Sequence, residues 1–137
     1  LSKFNAHTIS NDELKSNSSY DPIVCVFQPH QSKRVNSLFE EFASAFKNID
    51  VLIMLPIYKV PGRDGDTSVT QDKVINKKLF LAVKKNNPNM KIFYLTNPKN
   101  IIPSLEKLTF ESRQSPILVM MGAGDIVRYT DKFFNIR

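Results

Sequence analysis

The sequence predicts an α/β domain in which helices cover a mostly parallel β-sheet, and three observations support this fold class. Short apolar runs rich in β-branched residues recur along the chain, as expected for strands buried on both faces. Segments with apolar residues at helical spacing separate these runs. The connections between them are short. The resulting βαβαβαβα order is typical of a Rossmann-like three-layer domain.

Strands and helices are predicted in alternation. The strands are expected at residues 23–27, 51–55, 91–95 and 116–121, and the helices at 33–47, at 71–86, after Asn100 and at 126–134. Ser32 is predicted to cap the first helix, Thr70 or Ser68 the second and Asn100 the third, whose tolerated first turn holds Pro103. Phe42 is expected to be buried between the first helix and the sheet. The residues predicted to face inward from the first two helices are Val35, Leu38, Phe39, Phe42, Ala45, Phe46, Val74, Ile75, Leu79 and Val83.

The rest of the chain is organised around residues 22–34. Five apolar residues run into Gln28-Pro29-His30, and Pro29 ends the strand because it cannot donate to a ladder. The polar residues that follow lie where the carboxyl end of a strand meets the start of a helix. In open α/β sheets this edge is where ligands bind.

The composition describes one ordinary globular domain. Of the 137 residues, 42% are hydrophobic and 23% charged, which is enough for a single core. Residues 22–137 are assigned to this domain, and the polar residues 1–21 to a lead-in segment with a short helical turn at 11–15. Because the sequence begins with Leu1 rather than methionine, we expect it to be a piece of a longer protein.

The charge and the cysteine content of the chain indicate which classes of binding partner and which cellular compartment to expect. The net charge is +6, but no basic block carries interleaved aromatics, so nucleic-acid binding is not expected, although the field favours an anionic ligand. The one cysteine, Cys25, lies in a predicted strand and is expected to be a buried small hydrophobe. With neither a signal peptide nor a membrane span in the sequence, we expect a cytoplasmic location and no membrane partner.

Candidate site residues follow three of the strands. His30 and Arg34 are four residues apart at the start of the first helix, which suits a carboxylate or phosphate, although a packed histidine and a surface arginine explain them equally well. Tyr58, with the loop at 62–66, forms either a flap or a plain loop. Arg34 is expected to be the only arginine near the crevice between the first and fourth strands.

The turn after the fourth strand is the third candidate. Gly122, Ala123 and Gly124 would let the backbone approach a ligand closely, and Asp125 can cap the last helix, but a tight turn with a cap is the plainer interpretation. The sequence contains no metal-ligand cluster and no nucleophile motif. No metal site and no catalytic residue are therefore assigned.

Several of these segments resemble the carboxy-terminal domain of the Mur ligase family. Val26-Phe27-Gln28-Pro29-His30, followed by Arg34 and Leu38, matches the family's motif after the first strand. Ile57-Tyr58 and Met121-Gly122-Ala123-Gly124-Asp125-Ile126 match after the second and fourth strands, in the same order. Ala6-His7-Thr8 is a weaker match to the opening Asp-Tyr-Ala-His motif.

The resemblance implies the closing third domain of an ATP-dependent amide ligase of the peptidoglycan-precursor type. In these enzymes a UDP-sugar domain and an ATPase domain come first, ATP and Mg²⁺ activate a carboxylate as an acyl phosphate, and an amino acid attacks it. The third domain alone binds no cofactor and is inactive. The resemblance implies nucleotide contact for His7 and substrate contacts for His30, Arg34, Tyr58, Gly122, Ala123, Gly124 and Asp125.

The departures from the family pattern leave a second interpretation open. Gln31-Ser32-Lys33 replaces Arg-Tyr-Ser, Val35 replaces a threonine, Pro56 stands where an aspartate is expected, and Phe4 or Asn5 replaces the opening acidic residue. The alternative is a diverged, non-catalytic domain that serves as a binding or protein-interaction module. A free-standing nucleotide-binding domain is disfavoured because the phosphate loop is missing.

Overall fold

A computed structural model describes residues 3–4, 20–60, 62, 68–111 and 115–135. Five strands form one sheet: β1 (Lys3–Phe4), β2 (Ile23–Gln28), β3 (Val51–Met54), β4 (Lys91–Tyr94) and β5 (Ile117–Gly122). The helices are α1 (Ser32–Ser37), α2 (Phe39–Ser44), α3 (Val69–Asn86), α4 (Ile101–Glu106) and α5 (Asp125–Asn135). A 3-10 turn (Pro98–Asn100) precedes α4, and a π-helical turn (Lys107–Glu111) follows it.

The sheet is parallel throughout, with the strand order β1-β4-β3-β2-β5. The chain runs outward from β2 through β3 to β4 and then returns to the other side of β2 as β5. The register of β2 on β5 extends from the pair Ile23 and Ile117 to the pair Gln28 and Gly122. The predicted Rossmann-like fold is therefore confirmed, and the winding reverses between β2 and β5, where the crevice was expected.

Alternate residues of the strands enter two separate cores, because successive side chains of a strand point to opposite faces. Val24, Val26 and Ile53 pack with Ile126 and Phe133 in the core beneath α4 and α5. On the other face, Cys25, Phe27 and Leu52 pack with residues of α1, α2 and α3. Continuous apolar runs are thus required at β2 and β3, since both of their faces are covered.

The first predicted helix is two helices, and the predicted cap is wrong. Leu38, at φ −118° and ψ 31°, separates α1 from α2. The N-cap position of α1 is occupied by Gln31, whereas Ser32 is inside the helix and its buried hydroxyl donates to Asp72. Because the Ser32 hydroxyl is bonded to Asp72, 40 residues further along the chain, it does not cap the helix.

The break at Leu38 changes which side chains face the core. Phe46 is buried as predicted, but Phe42 is only partly buried, against the ring of Phe27 with centroids 5.7 Å apart. Ala45 is exposed, and Ala43 takes the inward position instead. The expectation of a fully buried Phe42 is therefore wrong.

The second predicted helix is α3, which begins at Val69 because Ser68 caps it. The Ser68 hydroxyl accepts the Gln71 N–H at 3.2 Å, and the Gln71 side chain accepts the Ser68 N–H at 2.9 Å. This reciprocal pair is a capping box and selects Ser68 over Thr70. Val74 is 49% exposed, so its predicted inward position is wrong. Asp72 and Asn76 are buried instead.

The third helix also departs from its predicted cap. Asn100 precedes α4 but makes no capping hydrogen bond with its side chain, while Pro103 lies in the first turn as predicted. Within the lead-in segment, Lys3–Phe4 pairs with β4 and adds an edge strand that the sequence did not predict. The predicted turn at 11–15 lies outside the described residues. Within the part of the chain that the structure describes, no helix is both long and apolar enough to cross a membrane.

Candidate functional site

A cavity of about 280 Å³ opens at the carboxyl edge of the sheet. It lies where β2, β3 and β4 end and α5 begins, the position that the topology predicts for a ligand. Its volume lies just below the range typical of pockets for small-molecule ligands, which suits an amino acid or one end of a larger ligand. The residues that line it are Gln28, Leu55, Pro56, Ile57, Tyr58, Lys59, Leu95, Thr96, Ile101, Asp125 and Tyr129.

Gln28, the last residue of β2, connects two walls of this cavity. Its side chain is buried, and its Oε1 accepts the backbone N–H of Ile126 at 2.9 Å. Its Nε2 donates to the carbonyl of Pro56 at 3.4 Å. One amide side chain therefore satisfies an orphan donor in the first turn of α5 and holds the loop after β3.

Tyr58 joins the loops after β2 and β3. Its N–H donates to the carbonyl of Pro29 at 2.8 Å, and its carbonyl accepts the N–H of Gln31 at 3.1 Å. The His30 and Tyr58 rings are stacked, with centroids 5.7 Å apart and planes 16° from parallel. Gln31 has a φ of 61°, which is uncommon for a residue other than glycine, and local strain of this kind tends to collect at functional sites.

The end of β5 and the turn after it contain two glycines that no larger residue could replace without strain. A Cβ on Gly122, at φ 144°, would lie 2.6 Å from the carbonyl oxygen of Gln28. A Cβ on Gly124, at φ 81°, would overlap the ring of Tyr58. The backbone of this turn packs closely against other groups of the protein, and its predicted close approach to a ligand stays a prediction.

Asp125 is the first residue of α5 and lines the cavity. Its carboxylate forms an ion pair with Arg128 on the next turn, and the amide of Ile126 is bonded to Gln28. The hydrogen bond and the charge of Asp125 raise the pKa of the Arg128 guanidinium. Burial, followed by the Asp125 charge, raises the pKa of the neighbouring Tyr129.

A polar cluster, made of the buried Ser32 and Asp72 and the half-buried Lys59, lies beside the cavity. Lys59 Nζ is 2.8 Å from Asp72 Oδ2, while Asp72 Oδ1 accepts the Ser32 hydroxyl. The cluster joins the start of α1, the loop after β3 and the first turn of α3. Sequence reasoning missed Lys59 and Asp72, because a lysine in a loop and an aspartate near a helix start resemble ordinary surface residues.

The predicted site residues are only partly brought together. Tyr58 and Asp125 line the cavity, and His30 reaches Tyr58 without lining it. Arg34 is exposed on α1 and does not line the cavity. Arg128 pairs with Asp125, so Arg34 is not the only arginine near the crevice.

The remaining candidates contribute less. Ala123 is exposed in the turn after β5, and His7 lies outside the described residues. In the described ranges, no group of three or more His, Cys, Asp or Glu side chains is placed to hold a metal ion.

The fold defines a doubly wound α/β domain, and the cavity lies at the carboxyl edge of its sheet, between the end of β2 and the start of α5. Comparison with models of known protein families gave no match. Individual curated proteins do match, and several of them carry the name UDP-N-acetylmuramate–L-alanine ligase.

The relative from Clostridium tetani is 38% identical over 111 residues, which are 81% of this chain and 22% of the relative. The relative from Prochlorococcus marinus is 36% identical over 115 residues, 82% of this chain and 22% of the relative. The relative from Clostridium novyi is 31% identical over 121 residues, 88% of this chain and 24% of the relative. The chain belongs to the Mur ligase family, and it spans about a fifth to a quarter of the length of these relatives.

Proposed function

We propose that this chain is the C-terminal, amino-acid-binding domain of an ATP-dependent amide ligase of the UDP-N-acetylmuramate–L-alanine ligase type. One observation carries the proposal: the family-like segments after β2, β3 and β5 meet at a single cavity. Gln28, Tyr58 and Asp125, one from each segment, all line it. The matching region covers about a fifth to a quarter of the named ligases, as a single domain of a larger enzyme would.

In the proposed reaction, this domain closes over a site that the rest of the enzyme provides. ATP and Mg²⁺ would be held by an upstream ATPase domain, and the UDP-sugar by another upstream domain of the same protein. Closure would exclude water from the acyl phosphate before the amino acid attacks it. The proposal therefore includes a role in peptidoglycan biosynthesis in the cytoplasm and no ligase activity for this domain alone.

A domain exchange tests this function. The matching region of the Clostridium tetani ligase is replaced by this chain, and release of phosphate from ATP is measured with UDP-N-acetylmuramate and L-alanine. We expect L-alanine-dependent release well above that of the enzyme from which the region has been deleted. The isolated chain should release no phosphate above a heat-killed control.

A second exchange provides the matched control. The corresponding region of the Clostridium novyi ligase, which is 31% identical to this chain, is grafted at the same position. This graft shows whether the Clostridium tetani enzyme tolerates a substitute domain there. If that graft is active and the graft of this chain is inactive, the ligase proposal is contradicted. The same result would favour the alternative, a diverged domain that serves as a binding or protein-interaction module.

Specific contacts support keeping that alternative. Ser32 lies in the segment where the family pattern has Arg-Tyr-Ser, and its hydroxyl donates to Asp72 within the domain. Pro56 stands where an aspartate is expected, so the carboxylate of the family pattern is missing there. The first departure thus serves an internal contact, and the second removes a charged group. An upstream Gly-x-x-Gly-Lys-Thr/Ser phosphate loop in the complete gene would favour the ligase over the module.

A further inference from the structure

Lys59 is the one cation among the residues that line the cavity in the described part of the chain. Its side chain is 33% exposed, whereas that of its partner Asp72 is 12% exposed and does not line the cavity. The positive member of this ion pair therefore borders the cavity, while the negative member lies behind it. An oriented pair of this kind presents a positive end to a ligand.

The polar cluster restricts the position of the Lys59 ammonium. Asp72 Oδ2 pairs with Lys59, and Asp72 Oδ1 accepts the Ser32 hydroxyl, so both oxygens of the carboxylate are engaged. The ion pair with Asp72 therefore orders the end of the Lys59 side chain. A side chain that is already ordered loses less rotamer freedom when a ligand binds.

Asp125 is the acidic residue that lines the cavity, and it would repel an anion. Its carboxylate is paired with Arg128, whose side chain is 80% exposed, so this repulsion is reduced, and Lys59 lies on the wall formed by the loop after β3. The whole chain carries a net charge of +6, which adds to the attraction for anions.

We infer that Lys59 binds the anionic group of the ligand at this cavity, a carboxylate or a phosphate, with Asp72 as its positioning residue. This inference deepens the proposed function, because both the amino acid and the nucleotide of such a ligase carry one of these groups. It assigns to Lys59 the role that sequence reasoning assigned to Arg34.

Titrations of the isotope-labelled chain, followed by chemical shifts, test this assignment. L-alanine is compared with L-alaninamide, which lacks the carboxylate, and inorganic phosphate is compared with ATP. Lys59→Gln should weaken binding of the favoured anion about 10-fold or more, as expected for loss of a charge-assisted bond. If L-alanine binds and L-alaninamide does not, the anionic group is the carboxylate of an amino acid. If only inorganic phosphate and ATP bind, the anionic group is a phosphate.

Two further variants keep the test decisive. Lys59→Arg preserves the charge and the pairing with Asp72 and should retain most of the affinity even if Lys59→Gln folds poorly. Lys33→Gln removes an exposed cation of α1 at the same sheet edge and should change affinity less than about twofold. Unchanged binding by Lys59→Gln, or an equal loss with Lys33→Gln, would overturn the inference. So would the absence of shifts with every probe.

The grafted ligase separates this inference from the proposed function. In an active graft, Lys59→Gln should raise KM for L-alanine or for ATP, and an unchanged KM for both would contradict the inference alone. If the graft is inactive but Lys59-dependent anion binding persists in the isolated chain, only the ligase proposal fails.

Discussion

The ring of Tyr58 occupies the space in which a side chain at Gly124 would begin. This contact joins the loop after β3 to the turn before α5, at the carboxyl edge of the sheet. Both segments carry family-like residues, so the contact explains why a tyrosine and a glycine occur together there. The backbone of Gly124 also requires glycine because its φ is 81°.

Replacement of Gly124 by alanine should separate the contact from the backbone effect, because Gly62 provides a matched control. Gly62 has a φ of 79°, and a Cβ added there would meet no described atom within 4 Å. Gly62→Ala should cost about 1–2 kcal/mol of unfolding free energy from the left-handed backbone alone. Gly124→Ala should cost a further 1–3 kcal/mol or so from overpacking against the ring. Urea denaturation measures both, and equal costs would contradict the contact.

Gln28→Leu removes the buried side-chain amide that is hydrogen-bonded to Ile126 and to Pro56. The substitution leaves the N–H of Ile126 without its acceptor, so unfolding free energy should fall by about 1–3 kcal/mol. Hydrogen exchange at the Ile126 amide should accelerate more than exchange in the middle of α5. Asn36→Leu, an exposed change on α1, serves as the control. Unchanged protection of Ile126 would show that Gln28 does not cap the helix.

Two phenylalanines of α2 and the turn after it should differ in their contribution to stability. Phe46 is 1% exposed and its ring centroid is 5.2 Å from that of Phe27, so Phe46→Ala should cost about 3–5 kcal/mol. Phe42 is only partly buried, so Phe42→Ala should cost about half as much or less. If chemical denaturation gave a larger cost for Phe42→Ala than for Phe46→Ala, it would contradict the partial burial of Phe42 and favour the uninterrupted helix that the sequence predicted.

Burial of Cys25 should make stability fall at alkaline pH. Burial raises the pKa of its thiol from 9.0 to about 11, so the unfolded chain loses this proton at a lower pH than the folded chain does. The contribution is complete below pH 9 and declines as the pH rises towards 11, by about 2–3 kcal/mol in total. Across this range the unfolding free energy of the native chain should fall relative to that of Cys25→Val, which lacks the thiol. Parallel curves would argue against the raised pKa.

Sequence patterns were sufficient for the sheet because its determinants are local. The continuous apolar runs at β2 and β3 follow from burial on both faces, and Pro29 and Pro56 mark where those runs must end. The adjacency of β2 and β5 was predicted from the doubly wound topology, in which the winding reverses between the first and fourth strands of the βαβ series. β1 escaped prediction because two residues that pair with a distant strand carry no pattern of their own.

The candidate site depended on contacts between residues that are far apart in sequence. Ser32 left its predicted capping role because Asp72, 40 residues away, accepts its hydroxyl. Gln28 acts on Ile126 across 98 residues, and no local spacing indicates such a bond. Motif resemblance pointed to the segments at the ends of β2, β3 and β5, and one residue of each, Gln28, Tyr58 and Asp125, lines the cavity. The side chains within those loops that border the cavity could be identified only from the folded chain.

Chemical-shift mapping with L-alanine, ATP and UDP-N-acetylmuramate tests the central claim most directly, since each of these ligands belongs to the proposed reaction. We predict that the largest shifts for at least one ligand fall on Gln28, Tyr58 and Asp125, at the carboxyl edge. Asp50 and Ser115 report on the opposite edge, where Asp50 accepts the N–H of Ile23 and Ser115 donates to Asp21. Shifts that cluster at Asp50 and Ser115, or no shifts with any of the three ligands, would contradict a ligand site at the carboxyl edge.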